Sequence, residues 1–133
     1  MDIKGNKPTK PKLLYFRLLN YINNSVHSSM HSSIVGNNCK ISENAVVCDH
    51  GVIIGNNVII EDFAVIYPNT SIGNGSIVRA GAKIGIQDYN YFSDNEDLIH
   101  INHAGGVVIG KNVEIGYNSV VGRGLYFHDN TEI

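Results

Sequence analysis

Val35-Gly-Asn-Asn-Cys39-Lys and Ile41-Ser-Glu-Asn-Ala45-Val, then, after Val47, Ile54-Gly-Asn-Asn-Val58-Ile, Ile60-Glu-Asp-Phe-Ala64-Val, Ile66-Tyr-Pro-Asn-Thr70-Ser, Ile72-Gly-Asn-Gly-Ser76-Ile, Val78-Arg-Ala-Gly-Ala82-Lys and Ile84-Gly85 decide the fold. An aliphatic residue returns every sixth position, and the phase slips once, by one residue, beside His50 and Gly51. The position four after each aliphatic is also restricted: Cys39, Ala45, Val58, Ala64, Thr70, Ser76 and Ala82 are all small or β-branched. A period of six matches neither a lone amphipathic helix nor a half-buried strand, so it belongs to a repeating unit larger than either. Hexapeptide repeats make a parallel β-helix, in which each hexad supplies one short strand and one corner, with the aliphatic side chain pointing into a narrow core. Gly36-Asn37-Asn38, Gly55-Asn56-Asn57 and Gly73-Asn74-Gly75 fall at the corners, where residues that tolerate positive φ are needed. The small fifth residue follows from three walls crowding one core.

The repeats resume at Ile109, Ile115 and Val121, with Val113 and Ser119 in the fifth place, and Phe127 and Ile133 continue the count. Ile84 and Ile109 are 25 positions apart, and stepping by six between them lands on Asn90, Glu96 and Asn102. Residues 86–107 are therefore expected to leave the coil as one long projecting loop, and long loops on rigid scaffolds usually carry function. Ile133 opens a hexad after which no capping residue follows, so the expectation is either a longer polypeptide or a partner that covers the last coil.

The domain reading is a basic tail, capping helix and connector over 1–33, then a β-helix over 34–133. Residues 1–12 are polar and basic, with Pro8 and Pro11. Residues 13–22 are apolar on nearly every face, Pro11 suits a first helical turn, and a short buried helix that caps the open end of the β-helix is expected there. Arg17 interrupts the segment and no small-residue cleavage site follows, so it does not read as a secretory leader. His27 and His31 sit in the Ser/His-rich connector at helical spacing and read as linker residues.

A net charge of −2 over 133 residues gives no global signal for nucleic acid. Residues 1–33 hold five Lys or Arg against Asp2, the remainder five against eleven acids, so the basic end offers a peripheral contact to a membrane surface or an acidic neighbour. Cys39 and Cys48 make neither a disulfide framework nor a zinc motif, and cytoplasm is the expected compartment. No apolar run approaches the roughly 20 residues of a membrane span.

His103-Ala-Gly-Gly-Val-Val-Ile-Gly-Lys-Asn-Val-Glu-Ile-Gly116, followed by Tyr-Asn-Ser-Val-Val-Gly-Arg123-Gly124, resembles the acyl-carrier-protein-dependent UDP-3-O-acylglucosamine N-acyltransferases of lipid A biosynthesis. That family has a Gly-Gly-Val-Val-Ile-Gly-Asp-Asp-Val-Glu-Ile-Gly run and an Asp-Arg-Gly turn; Tyr67-Pro68-Asn69 and Ala82-Lys-Ile-Gly85 also fit. The resemblance covers roughly residues 60–133. It implies a left-handed coil, a homotrimer with grooves between subunits, and acyl transfer from acyl-acyl carrier protein or acyl-CoA to an amino or hydroxyl group of a nucleotide sugar. No tightly bound cofactor and no metal are implied. Three departures are visible. The family's Gly-Phe-Gly-Phe stands here as Asp88-Tyr89-Asn90-Tyr91, the 34 residues before the first coil hold no uridine-binding domain, and the family's catalytic histidine, in an Ile-Ala-His-Asn segment, would fall past Ile133. The alternatives are a small-substrate acetyl-CoA-dependent acetyltransferase and a non-catalytic β-helix scaffold.

The candidate residues follow from the chemistry. Amide formation from a thioester needs a general base and a donor to the developing oxyanion. His103, at the return of the excursion, and His128, beside Asp129, are the candidate catalytic imidazoles. Tyr89, Tyr91, His100 and Arg123 are the candidate substrate-binding residues. His100, His103 and His128 together match in number the ligands of a catalytic zinc. They lack the Gly-His-x-x-x-x-His-Gly pattern of the β-helical carbonic anhydrases.

Overall fold

The computed structural model describes residues 10–27 and 30–133. The basic residues 1–9 and the connector residues Ser28 and Ser29 lie outside the described residues, as does the side chain of His27.

Three hexads make one coil, and equivalent strands of successive coils pair in parallel, so the chain is a left-handed parallel β-helix with three walls. The first wall stacks Ile34–Val35, Val52–Ile54, Thr70–Ile72, Gly106–Ile109 and Asn130–Glu132. The second stacks Lys40–Ile41, Ile59–Ile60, Ile77–Val78 and Glu114–Ile115, and the third Val46–Val47, Val65–Ile66, Lys83–Ile86 and Val120–Gly122. Register places each repeat aliphatic on its equivalent: Val35 on Ile54, Ile54 on Ile72, Ile72 on Ile109. Ile54, Ile60, Ile66, Ile72, Val78, Ile84 and Ile109 are buried in one continuous core with Val58, Ala64 and Ala82. Burying each large aliphatic contributes about 1.5–3 kcal/mol.

The corners are made as the sequence implies. Between the first and second walls, Asn38, Asn57, Gly75 and Asn112 all take positive φ. Asparagine side chains tie these corners along the axis: Asn37 N donates to Asn56 Oδ1 and Asn56 N to Asn74 Oδ1, each at 2.8 Å. The corner between the third and first walls carries the changes in coil length. It holds the extra residue beside His50, the excursion after Ile86, and a turn over 123–129.

That turn corrects the place given to Phe127. The side chain is 67 % exposed and rests edge-on against His128 instead of entering the core. The turn adds the length of one hexad, so Ile133 keeps its phase while Phe127 does not. Gly110 N donates to Ile133 O at 2.8 Å, and Ile133 N donates to Val108 O at 3.0 Å.

The helix also departs from expectation. It runs over Pro11–His27, longer than residues 13–22, and among its described side chains only a narrow stripe with Leu13, Leu19 and Asn23 is buried. Leu14, Leu18, Tyr21 and Ile22 stay exposed, so the uniform apolarity of the segment does not mean uniform burial. It lies on the excursion and not over the first coil, whose Val35 is 48 % exposed. Phe16 meets Phe92 at 5.4 Å, Arg17 faces Asp97 at 3.8 Å, and Asn20 docks the excursion's return. Asn20 Nδ2 donates to His100 O and Asn20 Oδ1 accepts from Asn102 N, both at 2.8 Å. Asn20→Ala strips both backbone groups of their partners, which costs about 1–3 kcal/mol. The expected result is an Asn102 amide that exchanges with deuterium about tenfold to a hundredfold faster. The Gly110 amide, inside the coil, is the unchanged reference; an unchanged Asn102 rate would refute the docking role.

Candidate functional site

The excursion has structure of its own. Tyr91–Asp94 and Asp97–His100 form an antiparallel hairpin, with Asn95 at positive φ in the turn. The short aromatic and aliphatic runs Tyr91-Phe92 and Leu98-Ile99, on either side of the turn-forming Asp94-Asn95, were a readable hairpin signal. The strand Gly106–Ile109 then rejoins the first wall between Thr70–Ile72 and Asn130–Glu132.

Re-entry depends on Gly105 and Gly106, which approach backbone on opposite sides. A Cβ on Gly105 would overlap Asp129 O and lie 2.6 Å from Gly124 O, in the turn that follows. One on Gly106 would overlap Asn69 O, in the corner of the preceding coil. Ala104 N donates to Leu125 O at 2.9 Å, Gly105 N to Gly124 O at 2.8 Å and Gly124 N to Gly106 O at 3.1 Å, so excursion and turn form one unit.

Beneath this unit sit His103 and Arg123. His103 is 6 % exposed; its backbone N donates to Gln87 Oε1 at 2.8 Å, and its Nδ1 lies 3.3 Å from Arg123 O. A carbonyl can only accept, so a hydrogen bond there has Nδ1 as donor, and Nε2 is buried without a partner among the described residues. Arg123 is 8 % exposed, its Nε donates to Gly85 O at 2.8 Å, and burial pushes its pKa down, partly offset by Tyr67. Thr70 Oγ1 is likewise buried without a hydrogen-bond partner, and Gly85 leaves room for it. Asn23 Nδ2 reaches His103 O at 3.1 Å from the helix.

The six candidate side chains thus separate into an inner and an outer group. His103 and Arg123 meet in the interior. Tyr89, 94 % exposed, and Tyr91 lie on the outer surface, and Tyr91 packs against His100 at 5.1 Å between ring centroids. His100 Nδ1 is 3.0 Å from Asn102 Oδ1. His128 is exposed, stacked at 5.9 Å on Tyr126, with Nε2 3.7 Å from Asp129 Oδ1, beyond a hydrogen bond. His100, His103 and His128 do not gather; among the described residues the one metal-competent group is Cys48, Asp49 and His50. Sequence reasoning passed over Asn20, Asn23 and Gln87, because polar residues that satisfy distant backbone carry no periodic signal.

Arg79 bonds Glu61 at 2.8 Å and Glu114 at 2.5 Å, linking three successive coils, and the Arg79 hydrogen bond holds the Glu61 carboxyl below its ordinary range. Among the described residues no helix is long and apolar enough to cross a membrane.

A family model described as bacterial transferase hexapeptide (six repeats) matches residues 51–85. The chain is 45 % identical over 62 residues to UDP-3-O-acylglucosamine N-acyltransferase 2 of Legionella pneumophila (strain Philadelphia 1), covering 47 % of this chain and 18 % of that protein. It is 39 % identical over 67 residues to the UDP-3-O-acylglucosamine N-acyltransferase of Shewanella denitrificans, covering 50 % and 19 %. Against the enzyme of that name from Hahella chejuensis it is 37 % identical over 59 residues, covering 44 % and 17 %. The chain thus spans under a fifth of the length of these curated relatives.

Proposed function

We propose that the chain carries the acceptor side of an acyltransferase, which moves an acyl group from the thioester of acyl carrier protein or coenzyme A to the amino group of a nucleotide sugar. The supporting observation is the similarity to UDP-3-O-acylglucosamine N-acyltransferases, on a coil whose excursion re-enters through Gly105-Gly106. In the reaction the sugar amine attacks the thioester carbonyl, a C–N bond forms, and the C–S bond breaks. The thiol leaves with the proton that a base has taken from the amine.

Within this scheme Tyr89, Tyr91 and His100 hold the acceptor, since they lie on the excursion itself and offer ring faces reachable from solvent. His103 and Arg123 are positioning residues: they fix the return of the excursion from beneath. Neither His103 nor His128 is given the base's role, the first because Nε2 is closed off, the second because Asp129 is too far to orient it. Apolar residues face outward on two walls, Ile53 and Val108 on the first, Val46 and Val120 on the third. A threefold assembly would cover them and set one chain's excursion beside the next chain's wall.

The test is to incubate the protein with UDP-3-O-acylglucosamine and acyl-acyl carrier protein, or acyl-CoA, and read the products by mass spectrometry. The expected product is the sugar nucleotide with one further acyl group in amide linkage, with one free thiol released per transfer. Absence of that product with either donor at stoichiometric protein would overturn the reading, as would acetylation of small amines alone.

A further inference from the structure

We propose that Cys48, Asp49 and His50 form a binding site for a divalent transition metal of the zinc class, at the bulged corner of the first coil. The site lies apart from the excursion and does not rest on the function proposed above.

Consecutive residues in an extended chain point to opposite sides, so three adjacent donors rarely meet. Here the extra residue at the corner brings them together. The backbone is held by other groups: Ser33 Oγ donates to Cys48 O at 2.7 Å and accepts from Val52 N at 3.0 Å. Ser33 N donates to Asp49 O at 2.9 Å, and Gly51, at φ 71°, donates to His31 O at 2.7 Å. With the backbone so fixed, all three side chains turn to one point.

The donor atoms make a triangle of the right size. His50 Nδ1 lies 2.7 Å from Asp49 Oδ1 and 3.4 Å from Cys48 Sγ, and Sγ lies 3.9 Å from Oδ1. Tetrahedral zinc with bonds of about 2.0–2.1 Å to N and O and 2.3 Å to S sets those edges at about 3.3 Å for N to O and about 3.5 Å for S to either. The N to O edge must open by about 0.6 Å and the S to O edge close by about 0.4 Å, and the exposed Asp49 side chain can make both adjustments. A thiolate, an imidazole and a carboxylate together select zinc or cobalt over calcium or magnesium, which prefer all-oxygen sets. Three protein donors leave a fourth position, and the 94 % exposure of the Asp49 side chain opens it to water or to a further donor. The metal takes Cys48 as the thiolate and His50 as the neutral imidazole, with the ring proton on Nε2, so binding displaces the thiol proton.

Cobalt(II) is the probe, titrated into the thiol-reduced protein in a chelator-free, weakly buffered solution. The expected result is one equivalent bound per chain, a thiolate-to-cobalt charge-transfer band in the near ultraviolet that fades as zinc displaces cobalt, and a fall in pH on cobalt binding with no further proton release on displacement. Cys48→Ser should abolish the charge-transfer band, and His50→Ala should weaken binding by at least about tenfold. Cys39→Ser, at the other free cysteine, should change neither. Circular dichroism confirms that each variant is folded, and thermal melting gives a second readout: zinc should raise the midpoint of the unsubstituted protein and not of Cys48→Ser. The proposal is overturned if no band appears, if the band survives Cys48→Ser, or if Cys39→Ser removes it.

Discussion

Ile72→Ala is expected to lower the unfolding free energy by about 2–5 kcal/mol. Ile72 is fully buried, with Ile54 on one side of it and Ile109 on the other in strict register. Loss of the side chain leaves a cavity whose cost depends on how far the surroundings can collapse. Here they cannot collapse far. Gly55 N donates to Ile72 O and Gly73 N to Ile109 O, each at 2.8 Å, so the coils above and below are held at fixed spacing. The core is also one side chain thick along each stack, which leaves no second layer to move in. Ser71, the next residue on the same strand, faces outward, and Ser71→Ala should stay within about 0.5 kcal/mol of the unsubstituted protein. Chemical denaturation of the two variants checks this, and a change under about 1 kcal/mol for Ile72→Ala would contradict the stacked-core account.

The walls were readable because each repeat aliphatic meets its equivalent one coil away, so one requirement is written repeatedly in the chain. Ile54, Ile60, Ile66, Ile72 and Ile84 all proved buried where the count placed them. Phe127 shows the limit of counting. A turn one hexad long preserves the phase, so periodicity cannot tell a core position from the tip of a turn. The helix shows another limit: apolar residues on every face do not say which face is covered, and the stripe at Leu13, Leu19 and Asn23 is chosen by the excursion it meets. At the candidate site, His103 and His128 look alike in sequence, each a histidine in a polar segment. Their environments differ because Gly105-Gly106 presses the excursion down over His103 while the 123–129 turn lifts His128 into solvent. The triangle at Cys48, Asp49 and His50 depends on a corner conformation that spacing does not encode.

Gly105→Ala is expected to destabilise the protein by about 3 kcal/mol or more, at the upper end of overpacking effects, and to abolish the proposed acyl transfer. The new Cβ would fall within van der Waals overlap of Asp129 O and 2.6 Å from Gly124 O. Both obstacles are backbone, so no rotamer change relieves them. The turn over 123–129 must move outward, and that movement pulls on the hydrogen bonds from Ala104 to Leu125, from Gly105 to Gly124 and from Gly124 to Gly106. It also draws the Arg123 carbonyl away from His103 Nδ1, so the excursion loses its anchor on the coil together with its seat under the outer tyrosines. Gly116→Ala is the matched comparison, because its nearest obstacle is the Ser119 Oγ at 3.4 Å, an ordinary contact, and its effect should stay within about 1 kcal/mol. Thermal melting and exchange at the Ala104 amide distinguish the two sites. Equal stability of the two variants would mean that the excursion is not clamped between the corner of the preceding coil and the turn that follows. A large effect confined to Gly105→Ala would identify the Gly-Gly pair as the device that lets a long excursion re-enter a wall already closed on both sides.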